Sequence, residues 1–221
     1  MLSVNVVIAG GHGKIALRLT ARLTARADVV TSIIRNPEHR ADVEHVGGRP
    51  VVLDLEATTV DGLMGIVRGA DAVVFAAGAG PGSGAARKDT VDRAAAVLLA
   101  DAAEAAGVRR YLLVSSTGVD DPPRPGTDEV WAAYLAAKKA AENAIRASAL
   151  AWTILRPGAL TVEPGTGRVL LAPPPVERAE VTRDDTAAVL VALLDTPATA
   201  GQILELRAGD TDVDTAVRAY G

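Results

Sequence analysis

The sequence predicts an α/β fold built on a doubly wound parallel sheet, and three observations carry that prediction. Short β-branched runs alternate with longer Ala/Leu-rich stretches along most of the 221 residues. The short runs are strongly apolar, without polar alternation, as strands covered on both faces must be. The first of them leads through a glycine-rich turn into a helical stretch, the order in which a sheet with helical crossovers begins.

Taken in order, the expected strands are 4–9, 28–34, 50–55, 71–77, 110–116 and 151–156, with weaker runs at 168–172 and 202–207. Helical periodicity falls between them, at 13–27, 58–69, 86–106, 128–149, 183–195 and 211–219. Loops 78–88, 120–128 and 156–168 exceed the usual two to six residues and all follow carboxyl ends of strands, where open α/β sheets bind ligands. No repeat or linker divides the chain, so residues 1–221 read as a single domain, with 156–181 as a small substrate-side segment. Thr182, with Asp185 three positions on, forms a capping box at the start of the helical stretch 183–195.

Composition narrows the function. Hydrophobic residues make up 49% but aromatics only 3%, so the core is built from Ala, Val, Leu and Ile. Cysteine is absent, which excludes disulfides and thiolate chemistry. A net charge of −4 with scattered basic residues argues against nucleic acid or an acidic membrane surface as the main partner. No uninterrupted apolar run reaches the ~18 residues of a membrane span, and Met1 leads into "LSVNVVIAGG" without a basic leader, so a cytoplasmic protein is expected. His12, His39 and His45 share no metal-ligand spacing, and no metal site is expected. "GGHGKIA" lacks the spacing and ending of a Walker loop, and no G-x-S-x-G elbow occurs.

The turn "AGGHGKIALRL" (9–19) reads as G-x-G-x-x-A on Gly11, Gly13 and Ala16, and equally as G-x-x-G-x-x-A on Gly10, Gly13 and Ala16. Small residues there let backbone approach a pyrophosphate, while the helix start offers free N–H groups and a positive dipole end. The second strand ends in "SIIRNPEH", with Arg35 where an NAD-preferring chain places an acid. A guanidinium suits the 2′-phosphate of NADP, so NADP is expected over NAD; the plain alternative is a surface arginine. Asp54, in "VVLDLE", either meets the adenine edge or starts the next turn.

Only four of the 23 basic residues are lysine, and Lys138 stands four positions after Tyr134, one of three tyrosines. Positions i and i+4 share a helix face. A phenol ordinarily releases its proton near pH 10, and an ammonium one turn away favours phenolate and so acid–base work. The preceding "YLLVSSTGVD" places Ser115, Ser116 and Thr117 at a strand end, where a hydroxyl could hold a substrate carbonyl. The alternative is a half-exposed aromatic beside a solvated base.

On "GGHGKIA", Arg35, "AAGAG" (76–80), "VSSTG", the Y-x-x-x-K of "YLAAK" and "ILRPGALT" (154–161), the chain resembles the short-chain dehydrogenase/reductases. It is similar to their atypical NAD(P)H-binding branch, related to flavin and biliverdin reductases and to NADP-sensing regulators. That resemblance implies a Rossmann-type fold whose cofactor loop holds Gly10, Gly11, His12, Gly13, Lys14 and Ile15. It further implies Arg35 at the 2′-phosphate, Asp54 and Leu55 at the adenine, Ala77 and Gly78 along the cofactor, and Pro157 and Gly158 at the nicotinamide. Ser116 or Thr117, Tyr134 and Lys138 become the catalytic set, with Lys138 also holding the ribose. The implied activity is NADPH-dependent hydride transfer to a small carbonyl, quinone, flavin or related acceptor, in a monomer or homodimer. Some members of the branch instead bind NADP(H) as regulators. Ala16 stands where the family has a third glycine, and only about 60 residues follow the sixth strand, which is short for a sugar-nucleotide lobe.

Overall fold

β1 (Asn5–Ala9) lies inside the sheet, and the burial of its last four residues explains the apolar run Val6–Ala9. Val6 and Ile8 enter one core layer, and Val7 and Ala9 the other, as the two-residue period of a strand requires. The computed structural model describes residues 3–80, 82–122 and 126–221. Met1 and Leu2, Pro81 in the 78–88 loop, and residues 123–125 in the 120–128 loop lie outside the described residues.

After β1 come α1 (Lys14–Ala25), β2 (Val29–Ile34), a 3₁₀ turn at Pro37–His39, α2 (Arg40–His45), β3 (Arg49–Val52), α3 (Val60–Val67) and β4 (Ala72–Phe75). The next crossover is α4 (Gly84–Arg87), a π-helical segment at Lys88–Ala94 and α5 (Ala95–Ala106), leading to β5 (Arg110–Val114). Then follow α6 (Glu129–Ala147), β6 (Ala151–Pro157), β7 (Ala159–Thr161), β8 (Arg168–Ala172), β9 (Glu180–Thr182) and α7 (Arg183–Asp195). β10 (Gln202–Ala208), β11 (Thr211–Asp212) and α8 (Val213–Arg218) end the chain.

The large sheet runs β11-β8-β10-β6-β5-β4-β1-β2-β3. From β10 to β3 every pairing is parallel, in register such as Ile8 with Ser32 and Leu112 with Val74. β8 and β11 depart from the expected all-parallel sheet by adding an antiparallel edge. β7 and β9 form a separate two-stranded parallel pair. One core layer joins Val6 and Ile8 to Leu19, Leu23, Leu190, Leu193 and Val217, so α1, α7 and α8 cover that face. The other joins Phe75 and Leu113 to Leu63, Leu99, Ala103 and Ile145 of α3, α5 and α6. Each fully buried aliphatic side chain contributes roughly 1.5–3 kcal/mol.

Strand order reverses between β1 and β4, because the chain winds outward through β2 and β3 before returning to the other side of β1. The crevice outside the carboxyl ends at such a reversal is where these sheets bind ligands.

Several boundaries differ from expectation for visible reasons. β3 stops at Val52, opposite the last residue of β2, so Asp54 lies beyond the strand rather than at its end. β5 stops at Val114, leaving Ser115 and Ser116 outside the ladder. The stretch 86–106 is interrupted by the π segment, which turns Lys88, Val91 and Asp92 inward. Such interruptions are frequent at functional sites. Thr182 caps α7 as its spacing predicts: its Oγ1 accepts from the Asp185 N–H at 2.8 Å and donates to Asp185 Oδ2 at 2.9 Å.

Candidate active site

The turn after β1 is built by close approach. A Cβ on Gly10, whose φ is +79°, would lie 2.5 Å from the Ala77 Cα, and one on Gly11 would lie 2.4 Å from the Ser32 Cβ. Glycine therefore lets this turn pack against the ends of both β4 and β2. α1 then begins at Gly13 with no side-chain cap and no acid in its first turn. Its first amides, and the positive end of its dipole, are left for a ligand.

Around this turn lies a first chamber of about 270 Å³. Gly10, His12 and Gly13 form one end, with Arg35, Asn36 and His39 after β2, Asp54, Leu55 and Glu56 after β3, and Ala77 and Gly78 after β4. The His12 ring stacks on His39 at 3.5 Å, and its Nε2 lies 2.8 Å from Asp42 Oδ2. Asp54 Oδ1 accepts from the Glu56 N–H at 3.0 Å, shaping the turn that presents Glu56. Arg87, from the other side of the crevice, binds the Glu56 carboxylate, as does Thr90 Oγ1 at 2.6 Å. Those two hydrogen bonds, Arg87 first, hold the Glu56 carboxyl below its ordinary value. Arg35 is only 3.5 Å from the same carboxylate and largely exposed.

Ala76, Ala77, Gly78 and Ala79 also line a second chamber of about 590 Å³, so the two spaces share the β4 end as a common wall. Tyr134 stands in this second chamber, its ring stacked on Trp131 at 5.1 Å. Lys88 Nζ lies 5.6 Å and Lys138 Nζ 5.8 Å from the Tyr134 ring centre, so two ammonium groups flank one phenol. α6 makes this possible, since its i, i+4 spacing aims Tyr134 and Lys138 from the same face. The buried Lys138 donates to the Val114 carbonyl at 3.1 Å and pairs with Asp92 Oδ1 at 3.2 Å. Asp92 Oδ2 accepts from the Ala79 N–H at 3.1 Å, which ties the π segment to the loop after β4.

Ser115, Ser116 and Thr117 line a neighbouring space of about 550 Å³, together with Tyr134, Pro157, Gly158 and Arg183. Ser116 Oγ donates to the Thr117 carbonyl at 3.1 Å. Ser115 lines both spaces, and its Oγ donates to Glu142 Oε1 at 2.6 Å. Glu142 is held in turn by Arg156, through Nε at 2.9 Å and a second nitrogen at 2.5 Å. A third contact from Arg156 reaches Asp120 at 2.5 Å. Burial works against charge on Arg156, but the hydrogen bonds of Glu142 and Asp120 outweigh it and hold the guanidinium above its ordinary value.

Of the residues expected at the site, Gly10, His12, Gly13, Arg35, Asp54, Leu55, Ala77 and Gly78 meet in the first chamber. Ile15, Tyr134, Lys138 and Pro157 meet in the second, and Ser116, Thr117 and Gly158 adjoin it. Gly11 is buried beneath the turn, and the exposed Lys14, the first residue of α1, lines none of these spaces. Sequence reasoning did not single out Glu56, Arg87, Lys88, Asp92 or Trp131. Lys88 carried one usable signal, as one of four lysines in an arginine-rich chain. No cluster of metal-binding side chains occurs among the described residues, and no helix there is long and apolar enough to cross a membrane.

The sequence profile of the NAD(P)H-binding family matches residues 10–197. YhfK of Bacillus subtilis (strain 168), named as an uncharacterized sugar epimerase, is 32% identical over 216 residues, covering 97% of this chain and 99% of its own. A Bacillus halodurans structure named for NAD-dependent epimerases/dehydratases superimposes with a TM-score of 0.90 at 33% identity, covering 98% of this chain and all of its own. ChuY, an anaerobillin reductase from Escherichia coli O157:H7, superimposes with a TM-score of 0.76 at 25% identity, covering 95% of this chain and 99% of its own.

Proposed function

This chain belongs to the NAD(P)H-binding family, and on that premise we propose that it is an NADPH-dependent oxidoreductase that passes hydride to a small carbonyl, quinone, flavin or related acceptor. One observation supports the reading most: the Tyr134 phenol, flanked by two ammonium groups, stands in a chamber that shares a wall with the glycine-turn chamber. ChuY, a reductase by name, has the same overall fold.

The residues present fit a dinucleotide. Gly10 and Gly13 and the uncapped start of α1 suit a diphosphate, Asp54 and Leu55 suit an adenine, and Arg35 with Arg87 suits a 2′-phosphate. When bound, the reduced nicotinamide supplies the hydride. Tyr134 gives its hydroxyl proton to the acceptor oxygen as that oxygen gains charge. Lys138, held by Asp92 and the Val114 carbonyl, fixes positive charge beside the phenol and would meet a ribose hydroxyl by giving up its long 3.5 Å bond to the Ala77 carbonyl. Ser116 or Thr117 anchors the acceptor, while Trp131, stacked on Tyr134, steadies the phenol ring.

A second reading, cofactor sensing without turnover, is favoured by one feature. The Lys138 ammonium is engaged by Asp92 and two backbone carbonyls, of Val114 and Ala77, before any ligand enters. The epimerase names belong to the relatives; here residues 158–221 are spent on the sheet edge, the β7–β9 pair, α7 and α8. The test is a titration with NADPH and NADH, followed by a screen of carbonyls, quinones and flavins for NADPH oxidation. Tight binding with turnover of an acceptor supports the enzyme, tight binding without turnover supports the sensor, and no binding of either nucleotide defeats both.

A further inference from the structure

Lys88 is a buried ammonium beside the Tyr134 ring, and no step of the proposed reaction draws on its hydrogen-bond donors. It is 8% exposed, on the π segment that walls the second chamber. Its one hydrogen bond among the described residues runs to the Gly80 carbonyl at 2.8 Å. Asp92, one turn further along and the natural counter-charge, is engaged instead by Lys138 at 3.2 Å and by the Ala79 N–H at 3.1 Å. No carboxylate pairs with Lys88 among the described residues. Removing an ammonium from water without a counter-anion is costly, and such a charge ordinarily marks a place that a ligand completes.

A second cation faces the same space. Arg183, at the start of α7, lines both the second chamber and its neighbour, and donates to the carbonyls of Leu160 at 3.0 Å and Thr161 at 2.8 Å. It too has no acidic partner among the described residues. The acids lining the second chamber are Asp92, already paired, and Asp128, whose carboxylate caps α6 by accepting from the Trp131 N–H at 2.9 Å. The chamber around Tyr134 therefore holds more positive than negative charge, and the excess resides on donors with hydrogens to spare.

We propose that Lys88 and Arg183 form an anion-recognition site in the chamber of Tyr134, so that the acceptor reduced there carries a carboxylate. This rests on the oxidoreductase reading, because it assigns the anion to the acceptor. Lys88 lines the Tyr134 chamber and not the glycine-turn chamber, which favours the acceptor over the cofactor's phosphates as the source of that anion. Lys88 is thus a specificity-determining residue that grips the acceptor's carboxylate.

Calorimetric titration of the protein, alone and saturated with NADP⁺, tests this with acetate, pyruvate, benzoate and phenylacetate against the matching amides. At least one carboxylate should bind about tenfold or more tightly than its amide, and Lys88→Met should erase that preference while leaving NADP⁺ affinity within a few-fold. Carboxylates that bind no better than amides in the unsubstituted protein overturn the proposal, with no variant needed. A Lys88→Met protein that loses NADP⁺ affinity but keeps the carboxylate preference overturns it as well, by assigning the ammonium to the cofactor. These readouts need no turnover, so they can fail while the oxidoreductase reading stands, and can succeed even where no acceptor is reduced.

Discussion

Two arginines are buried at opposite edges of the same sheet, and their surroundings have little in common. Arg156, near the carboxyl end of β6, is 1% exposed and lies between Glu142 and Asp120, with Glu205 at 3.6 Å. Arg110, at the amino end of β5, is 8% exposed and has no carboxylate partner among the described residues. It donates instead to the carbonyls of Ala151 at 3.0 Å and Leu193 at 2.7 Å, and to Thr153 Oγ1 at 2.8 Å and Thr199 Oγ1 at 3.0 Å. Burial pushes Arg110 down to about 10, whereas the acids around Arg156 hold it above its ordinary value. The amino edge uses charge as a staple, tying β5 and β6 to the end of α7, where the helix dipole is negative. At the carboxyl edge the charge is answered by acids and reaches the chamber through Ser115.

The sharpest break of that contrast is Arg156→Met. It leaves Glu142 buried without its ion partner, and should cost about 3–5 kcal/mol of unfolding free energy in urea. Pairing it with Glu142→Leu should recover most of the loss, because the stranded charge goes too. A single variant as stable as the native protein would show that the buried network is dispensable.

Arg35 tests the carboxyl edge without touching the core. Arg35→Asp should weaken NADPH by about 1.5–3 kcal/mol and narrow or reverse its advantage over NADH, with little change in stability. Equal affinity for the two nucleotides in the native protein contradicts the NADP assignment.

Arg110→Met should cost less than Arg156→Met, about 1–2 kcal/mol, since the penalty for burying charge leaves along with the hydrogen bonds. Nucleotide affinity should be unchanged. The depressed value means that the folded chain releases this proton before the unfolded chain does. The contribution of Arg110 to stability therefore rises as pH climbs above about 10 toward the ordinary arginine value, and is least favourable below that window. The native-minus-variant stability should climb accordingly, and a flat difference would contradict the burial argument. The smallest effect belongs to Lys139→Arg. Lys139 reaches Asp120 at the surface, and the change should stay within about 0.5 kcal/mol. Lys138→Arg, next door but rotated into the chamber, should remove most activity, because a planar fork does not fit where a compact ammonium lies.

How much of this was legible depended on whether the signal was local. "GGHGKIA" and Y-x-x-x-K are short-range patterns, so the glycine turn and the Tyr134–Lys138 face could be read directly. The parallel centre was legible because β4 is wholly apolar and β1 and β5 are so beyond their first one or two residues. The antiparallel edge was not, since β8 carries no local mark of which way its neighbour runs. α2 escaped notice because six residues with one buried position show no periodicity. Glu142, on an alanine-rich helix, carries no local mark of its burial. Only the crossing of α6 over β6 brings it to Arg156 and Ser115. Arg87 and Glu56 lie 31 residues apart, and meet only because strand order reverses between them.

The most direct measurement is NADPH oxidation and NADPH binding by Tyr134→Phe, with any acceptor that the unsubstituted protein reduces. If the phenol donates the proton, turnover falls to background while NADPH affinity stays within a few-fold, because the ring and its stack on Trp131 remain. A Phe variant that reduces the acceptor at the native rate would remove Tyr134 from the chemistry and leave the chamber as a place where nucleotide is sensed.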